Sequence, residues 1–357
     1  MPDLPATMPA AVFMGLRAVE VKDVPLPELG ADEVLVEVSH CGICGSDLHF
    51  LVEWGGREGA IEGHEWSGTV AAVGSDVAEW KVGDEIVGGP SPKCGRCEYC
   101  LADRTSLCVE RGRVGADDAD GDDGGWQGAF AGYKKMRAAH MLRVPDGLAL
   151  KHAALTEPMA VALHGITQGG GARPGTRWLV TGGGPIGFLS VAALKAQGID
   201  DIVVSEPHER RRALCERLGA RAVHPDELQA PVMPHDMVDE PFDVVLECSG
   251  SNLAMEVGLA QLKRAGTLVL VGAGIRRPKF DNNRILLNEL VITGAYVYDH
   301  DGFPRALALL ASGKVPLDVL VEADDVPLDG LLGAAISLHE GELAAKVMVV
   351  PRTGVSK

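Results

Sequence analysis

Apolar positions along this chain follow two different rhythms. Up to about residue 150 they come in short alternating runs, as in 33–38 (EVLVEV), 68–73 (GTVAAV) and 83–87 (GDEIV), separated by glycine-rich breaks. Alternation with period two lays every second side chain on one face of a sheet, so these runs predict many short strands in a β-barrel-like domain. From Arg177 onward strands and helices take turns. The strand 178–180 leads into a glycine turn, and 186–196 has helical spacing. The strand 201–205 precedes a helix from Arg210 to Leu218 that ends at Gly219, and 242–247 and 266–272 are further buried strands. Strands separated by helices of this length imply a parallel, doubly wound sheet. A helix near 304–312 and a last strand at 345–350 follow, and that tail is expected to fold back on the first domain. Met1 to Pro9 and Thr353 to Lys357 read as disordered ends, and the aspartate- and glycine-rich segment 116–125 as a solvated loop.

At 357 residues with 46% apolar side chains, the chain is long enough for two cores. A net charge of -17 argues against nucleic acid or an anionic membrane as partner, because either would be repelled. The arginine-dense stretch 210–212 is too short to reverse this. No apolar run reaches the roughly 18 residues of a membrane span, and the N-terminus does not pair a basic region with an apolar core. A cytoplasmic protein is expected. Six of the eight cysteines crowd into the first third at spacings that suit metal, which fits a reducing compartment. Cys215 and Cys248 read as small buried hydrophobes.

Three segments carry chemistry. Cys44, followed by His64 and Glu65, brings a thiol, an imidazole and a carboxylate into a short stretch, an open and mixed ligand set of the kind a catalytic zinc uses. Cys94, Cys97, Cys100 and Cys108 form a C-x2-C-x2-C-x7-C run that supplies four thiolates from one lobe. Such a lobe suits a closed structural zinc or an iron–sulfur cluster. Gly182, Gly184 and Gly187, with Pro185 and Ile186 between them, fill the G-x-G-x-x-G positions after a strand and before a helix, which is a dinucleotide turn. Glu206 ends the next strand about twenty residues on. An acid there binds adenine-ribose hydroxyls and favours NAD. Arg210 or Arg211 would instead attract the 2′-phosphate of NADP.

In order, the segments GICGSDLH (42–49), GHE (63–65), the cysteine lobe, GAFAGY (128–133), EPMAVALHG (157–165), VTGGGPIG (180–187) and ECSG (247–250) resemble the medium-chain, zinc-dependent alcohol and polyol dehydrogenases, of the sorbitol and threonine dehydrogenase type. The resemblance runs nearly end to end. It implies an α/β protein with a GroES-like β-barrel-type catalytic domain (1–160 and 298–357) and an inserted Rossmann domain (161–297). It implies two zinc ions, with Cys44, His64 and either Glu65 or Glu157 at the catalytic one and the cysteine lobe at a structural one. Cys41, which imitates a C-x2-C partner of Cys44, has no ligand role in that family. Ser46 falls where relatives keep a hydroxyl that accepts the alcohol proton. His49 falls where they keep an imidazole that passes the proton onward through the cofactor ribose. Arg211, Ser249 and Gly272 join the glycine turn and Glu206 as cofactor-binding candidates.

The implied activity is hydride transfer between an alcohol and NAD, with NADP as the alternative cofactor. Polyols, sugars, amino alcohols and simple alcohols all fall within the family's range. Phe50, Glu53, Trp54 and Arg57 are candidate pocket residues whose mix of aromatic and charged groups favours a polar substrate. The rivals are a non-catalytic nucleotide-binding redox sensor and a zinc-free quinone or enone reductase. The latter would need neither GHE nor the lobe. The apolar segment 290–296 lies where related domains pair edge strands, so a homodimer or homotetramer is expected.

Overall fold

The computed structural model describes residues 4–55, 58–88, 93–110 and 128–351. The alternating runs become an antiparallel assembly. Strands β1 (Thr7–Gly15) and β2 (Ala18–Pro25) form a hairpin. β3 (Glu33–Gly42), β4 (Glu65–Val73), β5 (Glu85–Gly88), β6 (Tyr133–Arg137) and β7 (Met141–Arg143) build the main sheet. β3 and β4 are mostly buried, and β3 packs on a core containing Val34, Val36, Val38, Ile86 and Phe130.

The second rhythm becomes a six-stranded, all-parallel sheet. It contains β8 (Trp178–Thr181), β9 (Ile202–Ser205), β10 (Arg221–Val223), β11 (Phe242–Glu247), β12 (Leu262–Leu270) and β13 (Val291–Gly294), in the order β10-β9-β8-β11-β12-β13. Every residue of β8 and β9 is buried, as expected of central strands covered on both faces. The tail returns to the first sheet as expected: β14 (Val326–Pro327) and β15 (Met348–Val350) extend it in the order β14-β15-β3-β4-β5-β7, with β15 antiparallel to β3 at Met348–Gly42. The first sheet therefore takes strands from both sides, in sequence, of the six parallel ones. The helix Thr156–Gln168 packs on both the glycine-turn helix and the helix Gly302–Leu310, and so joins the two.

Two expectations need correction. Residues 7–9, read as a disordered end, belong to β1. Pro9 is tolerated because its carbonyl, not a missing N–H, is used, accepting from the Gly132 amide at 2.9 Å. The last strand is shorter than 345–350, because Lys346 bonds through its backbone to Leu320 and Glu322 instead of continuing the β15 ladder. The segments 116–125 and 353–357 and Arg57 lie outside the described residues. Among the described residues, no helix is long and apolar enough to cross a membrane.

Candidate active site and metal centres

Cys44 leaves the end of β3, and its backbone N–H donates to Asp47 Oδ2 at 2.8 Å, which caps the short helix Gly45–Leu48. Glu65 opens β4 directly across from Gly42 in the antiparallel register, and His64 immediately precedes it. The pairing of two strands thus brings together what is twenty residues apart in sequence. The Cys44 sulfur, a His64 ring nitrogen and a Glu65 oxygen all lie within 4.8 Å of one another. His64 is partly open to solvent, while Glu65 is buried. Burial within the body of the protein would lower the His64 pKa. The facing Cys44 sulfur, which shares a hydrogen bond with it, together with Asp47 and Glu157, holds it well above the ordinary histidine value. Asp47 itself is buried and its carboxyl is raised to about 6, chiefly by that burial, and its Oδ1 has no hydrogen-bond partner. Glu157, in the first turn of the helix Thr156–Gln168, bears on His64 electrostatically but is not part of the 4.8 Å group.

The second cluster is closed. The four sulfurs of Cys94, Cys97, Cys100 and Cys108 lie within 4.8 Å of one another, wrapped round the helix Glu98–Leu101. Backbone amides point at them: Cys97 N–H donates to Cys94 Sγ and Cys94 N–H to Cys108 Sγ, each at 3.4 Å. Amide donors pull Cys97 down to about 6, while burial pushes Cys100 up to about 12.

In the dinucleotide half, Gly182 takes φ +93°, a left-handed conformation that side-chain-bearing residues rarely adopt. A Cβ on Gly187 would stand on the Gly182 carbonyl oxygen, so the helix Pro185–Ala196 can sit this close to β8 only with glycine there. Gly184, the N-cap, would by contrast place a Cβ in open space. Gly187→Ala is expected to abolish measurable NAD binding by fluorescence titration while leaving both metal sites filled.

The Alcohol dehydrogenase GroES-like domain family matches residues 30–146, and the Zinc-binding dehydrogenase family matches 185–312. Sorbitol dehydrogenase of Bacillus subtilis (strain 168) is 34% identical over 359 residues, covering 98% of each chain. The D-xylulose reductase A of Aspergillus oryzae is 30% identical over 322 residues, covering 87% of this chain and 88% of that one. The solved structure of a zinc-binding dehydrogenase from Sinorhizobium meliloti 1021 bound to NADP superposes with a TM-score of 0.82 at 30% identity, covering 97% of this chain and all of that one. The chain belongs to the zinc-dependent medium-chain polyol dehydrogenase family. It is an oxidoreductase that acts on small-molecule alcohols or their carbonyl counterparts with zinc and a nicotinamide dinucleotide.

The residues of this dehydrogenase fit both groups. A thiolate, an imidazole and a carboxylate in reach of one point are the donor set of an open zinc site, and the anionic surroundings that hold a proton on His64 equally hold a divalent cation. Four thiols at mutual contact suit a closed tetrahedral zinc. Cys97→Ser is expected to remove one of the two metal ions and lower the unfolding midpoint by about 10 °C, read by zinc analysis and calorimetry. The open space at Gly184 beside a helix N-terminus leaves room for an anion such as a pyrophosphate.

The other sequence candidates are distributed as follows. Glu206 is buried, with Oε2 accepting from Gly183 N–H at 2.7 Å and Oε1 from His208 N–H at 2.8 Å, so it braces the glycine turn from beneath. Arg211 donates to the Leu338 carbonyl at 2.5 Å and Arg210 to the Glu342 carbonyl, both across to the catalytic half. Ser249 Oγ donates to Glu247, and a Cβ on Gly182 would press on Ser249. A Cβ on Gly272 would meet the amides of Ser249 and Gly250, so the loops after β8, β11 and β12 touch one another. Ser46 is half-buried two residues beyond Cys44, and His49 opens a π-helical turn, His49–Trp54, in which its Nδ1 meets Glu53 Oε2 at 2.7 Å. Phe50 packs against the catalytic core. Cys41 is fully buried in that core and stands outside the metal group, and Cys215 is likewise buried. Cys248 is half-buried against the other core.

Two site residues escaped the sequence reading. Lys346 is 1% exposed and places its Nζ 2.8 Å from Glu65 Oε1, 2.6 Å from Glu65 Oε2 and 3.0 Å from the Ile43 carbonyl. Burial would strip its proton, but Glu65, Cys44 and Glu157 hold its pKa above the usual lysine value. The other is Glu247, fully buried, which accepts from the amides of Ser249 and Gly250 at 2.8 and 3.1 Å and shapes the ECSG loop. A charged residue inside an apolar run was the available signal in both cases.

Proposed function

We propose that this protein oxidises a hydroxyl of a polyhydroxylated substrate, a polyol or sugar, with NAD, and that Cys44, His64 and a carboxylate from Glu65 or Glu157 hold the catalytic metal. The reading is carried by the open thiolate–imidazole–carboxylate set standing in one chain with a dinucleotide turn. When bound, the zinc ion lends Lewis acidity to the alcohol hydroxyl and the dinucleotide accepts the hydride. The chain's residues supply the rest. Ser46 accepts the hydroxyl proton, and His49 takes it onward to solvent. Asp47, buried beside Cys44 and His64, orients them, as outer carboxylates do at metal sites. Lys346 balances one charge of Glu65, so the pocket keeps a carboxylate without an excess of anion. The polyol assignment rests on the relatives named sorbitol dehydrogenase and D-xylulose reductase.

NAD is favoured because the acid Glu206 at the end of β9 would repel a 2′-phosphate, and Arg210 and Arg211 are engaged by carbonyls of the catalytic half. Glu206→Ala is expected to raise the KM for NAD by about 10-fold or more and to narrow the preference for NAD over NADP. A dimer through the β13 edge is proposed from the exposed Val291 and Tyr296; light scattering giving a monomer would overturn it. A reducing cytoplasm is the proposed compartment, in keeping with eight cysteines that form no disulfide.

The deciding experiment follows nicotinamide absorbance with NAD, then NADP, over a panel of polyols, sugars, amino alcohols and simple alcohols. Chelator-sensitive reduction of NAD with polyols is the expected result. Silence across the panel from zinc-replete protein would favour a non-catalytic sensor.

A further inference from the structure

The π-helical turn His49–Trp54 spaces His49 and Glu53 so that both sit on one side of the turn, His49 Nδ1 at 2.7 Å from Glu53 Oε2. Such turns are uncommon and concentrate at functional sites. The other oxygen of Glu53 faces His339 Nδ1 at 3.8 Å, at the C-terminal end of the helix Leu331–His339. That helix end is itself tied to the dinucleotide half, since the Leu338 carbonyl accepts from Arg211. A carboxylate thus stands between two imidazoles, one belonging to the relay and one at the surface, on an anchored support. We propose that Glu53 is the positioning residue of the proton relay: it fixes His49 in one ring orientation and one tautomer, with His339 holding the second oxygen of Glu53 in place.

This rests on the relay role proposed above for His49. A carboxylate at Nδ1 keeps the proton of the neutral ring on that nitrogen, so the relay's proton is exchanged at Nε2. The titratable groups on the elements packed against the turn are few. Asp47, on the preceding helix, is directed to the Cys44 amide, and Arg17 lies on the β1–β2 turn, where its backbone N–H donates to the Leu51 carbonyl. His339 and Glu340 end the facing helix.

The test reads His49 directly, apart from turnover. In protein labelled with nitrogen-15 at histidine and free of cofactor, the two ring-nitrogen shifts of His49 report its tautomer. Wild type is expected to show the Nδ1–H form at high pH, Glu53→Gln a mixture, and Glu53→Asp a return toward wild type. In the holoenzyme, Glu53→Gln is expected to lower kcat for alcohol oxidation by about 10-fold with KM nearly unchanged. His49 shifts and a kcat that are both unmoved in Glu53→Gln would overturn the proposal. Unaltered turnover in His49→Gln would instead overturn the relay reading beneath it.

Discussion

Replacing Lys346 by methionine is expected to destabilise the protein by about 3–5 kcal/mol, because it leaves a carboxylate buried without its partner. Lys346 and Glu65 are each 1% exposed at the side chain, and methionine fills nearly the same volume, so the loss reports charge and not a cavity. The pair as a whole is a different matter. Burying two ions is costly, and replacing both by neutral groups is often nearly neutral for stability. The double variant Glu65→Gln, Lys346→Met is therefore expected to regain most of what the single variant loses in urea unfolding. Turnover will separate the two effects. Restored stability with activity still lost marks Glu65 as part of the metal site, whereas restored activity would confine the pair to a structural role.

A second large loss is expected from Cys44→Ser. A neutral hydroxyl is a poor substitute for thiolate toward zinc, and it also removes a negative charge that bears on His64. Lewis-acid assistance is worth several kcal/mol, and each 1.36 kcal/mol is tenfold in rate, so kcat/KM should fall by at least about 10³-fold. The dinucleotide turn lies on the other sheet, so the Kd for NAD should hold. Zinc analysis should show the cysteine lobe still filled and the catalytic ion lost. A variant that keeps its zinc and its rate would remove Cys44 from the ligand set.

The dinucleotide half was legible to the level of individual glycines because its geometry is local. A strand, a turn needing φ +93° at Gly182 and a helix start are written within eight consecutive residues. The cysteine lobe was legible for the same reason, since all four thiols come from one short segment. Only the first three residues of β1, 7–9, were misread, because Pro9 argued against a strand there. Arg211 shows the other limit. Its place in sequence suggested a phosphate, but its partner is a carbonyl 127 residues away that only domain packing brings near.

Sequence by itself determined the family, the two sheets and the identity of the metal-binding residue types, because short-range spacing and side-chain period report backbone geometry directly. Tertiary structure alone decided what stands behind those residues. Lys346 reaches Glu65 across 281 residues because β15 returns to pair with β3, and His339 reaches Glu53 because a helix near the chain's end packs on the turn after Cys44. Burial converts the first of these meetings into chemistry: a lysine that would be an ordinary surface charge in water becomes, without solvent, the counterion that sets what Glu65 can do.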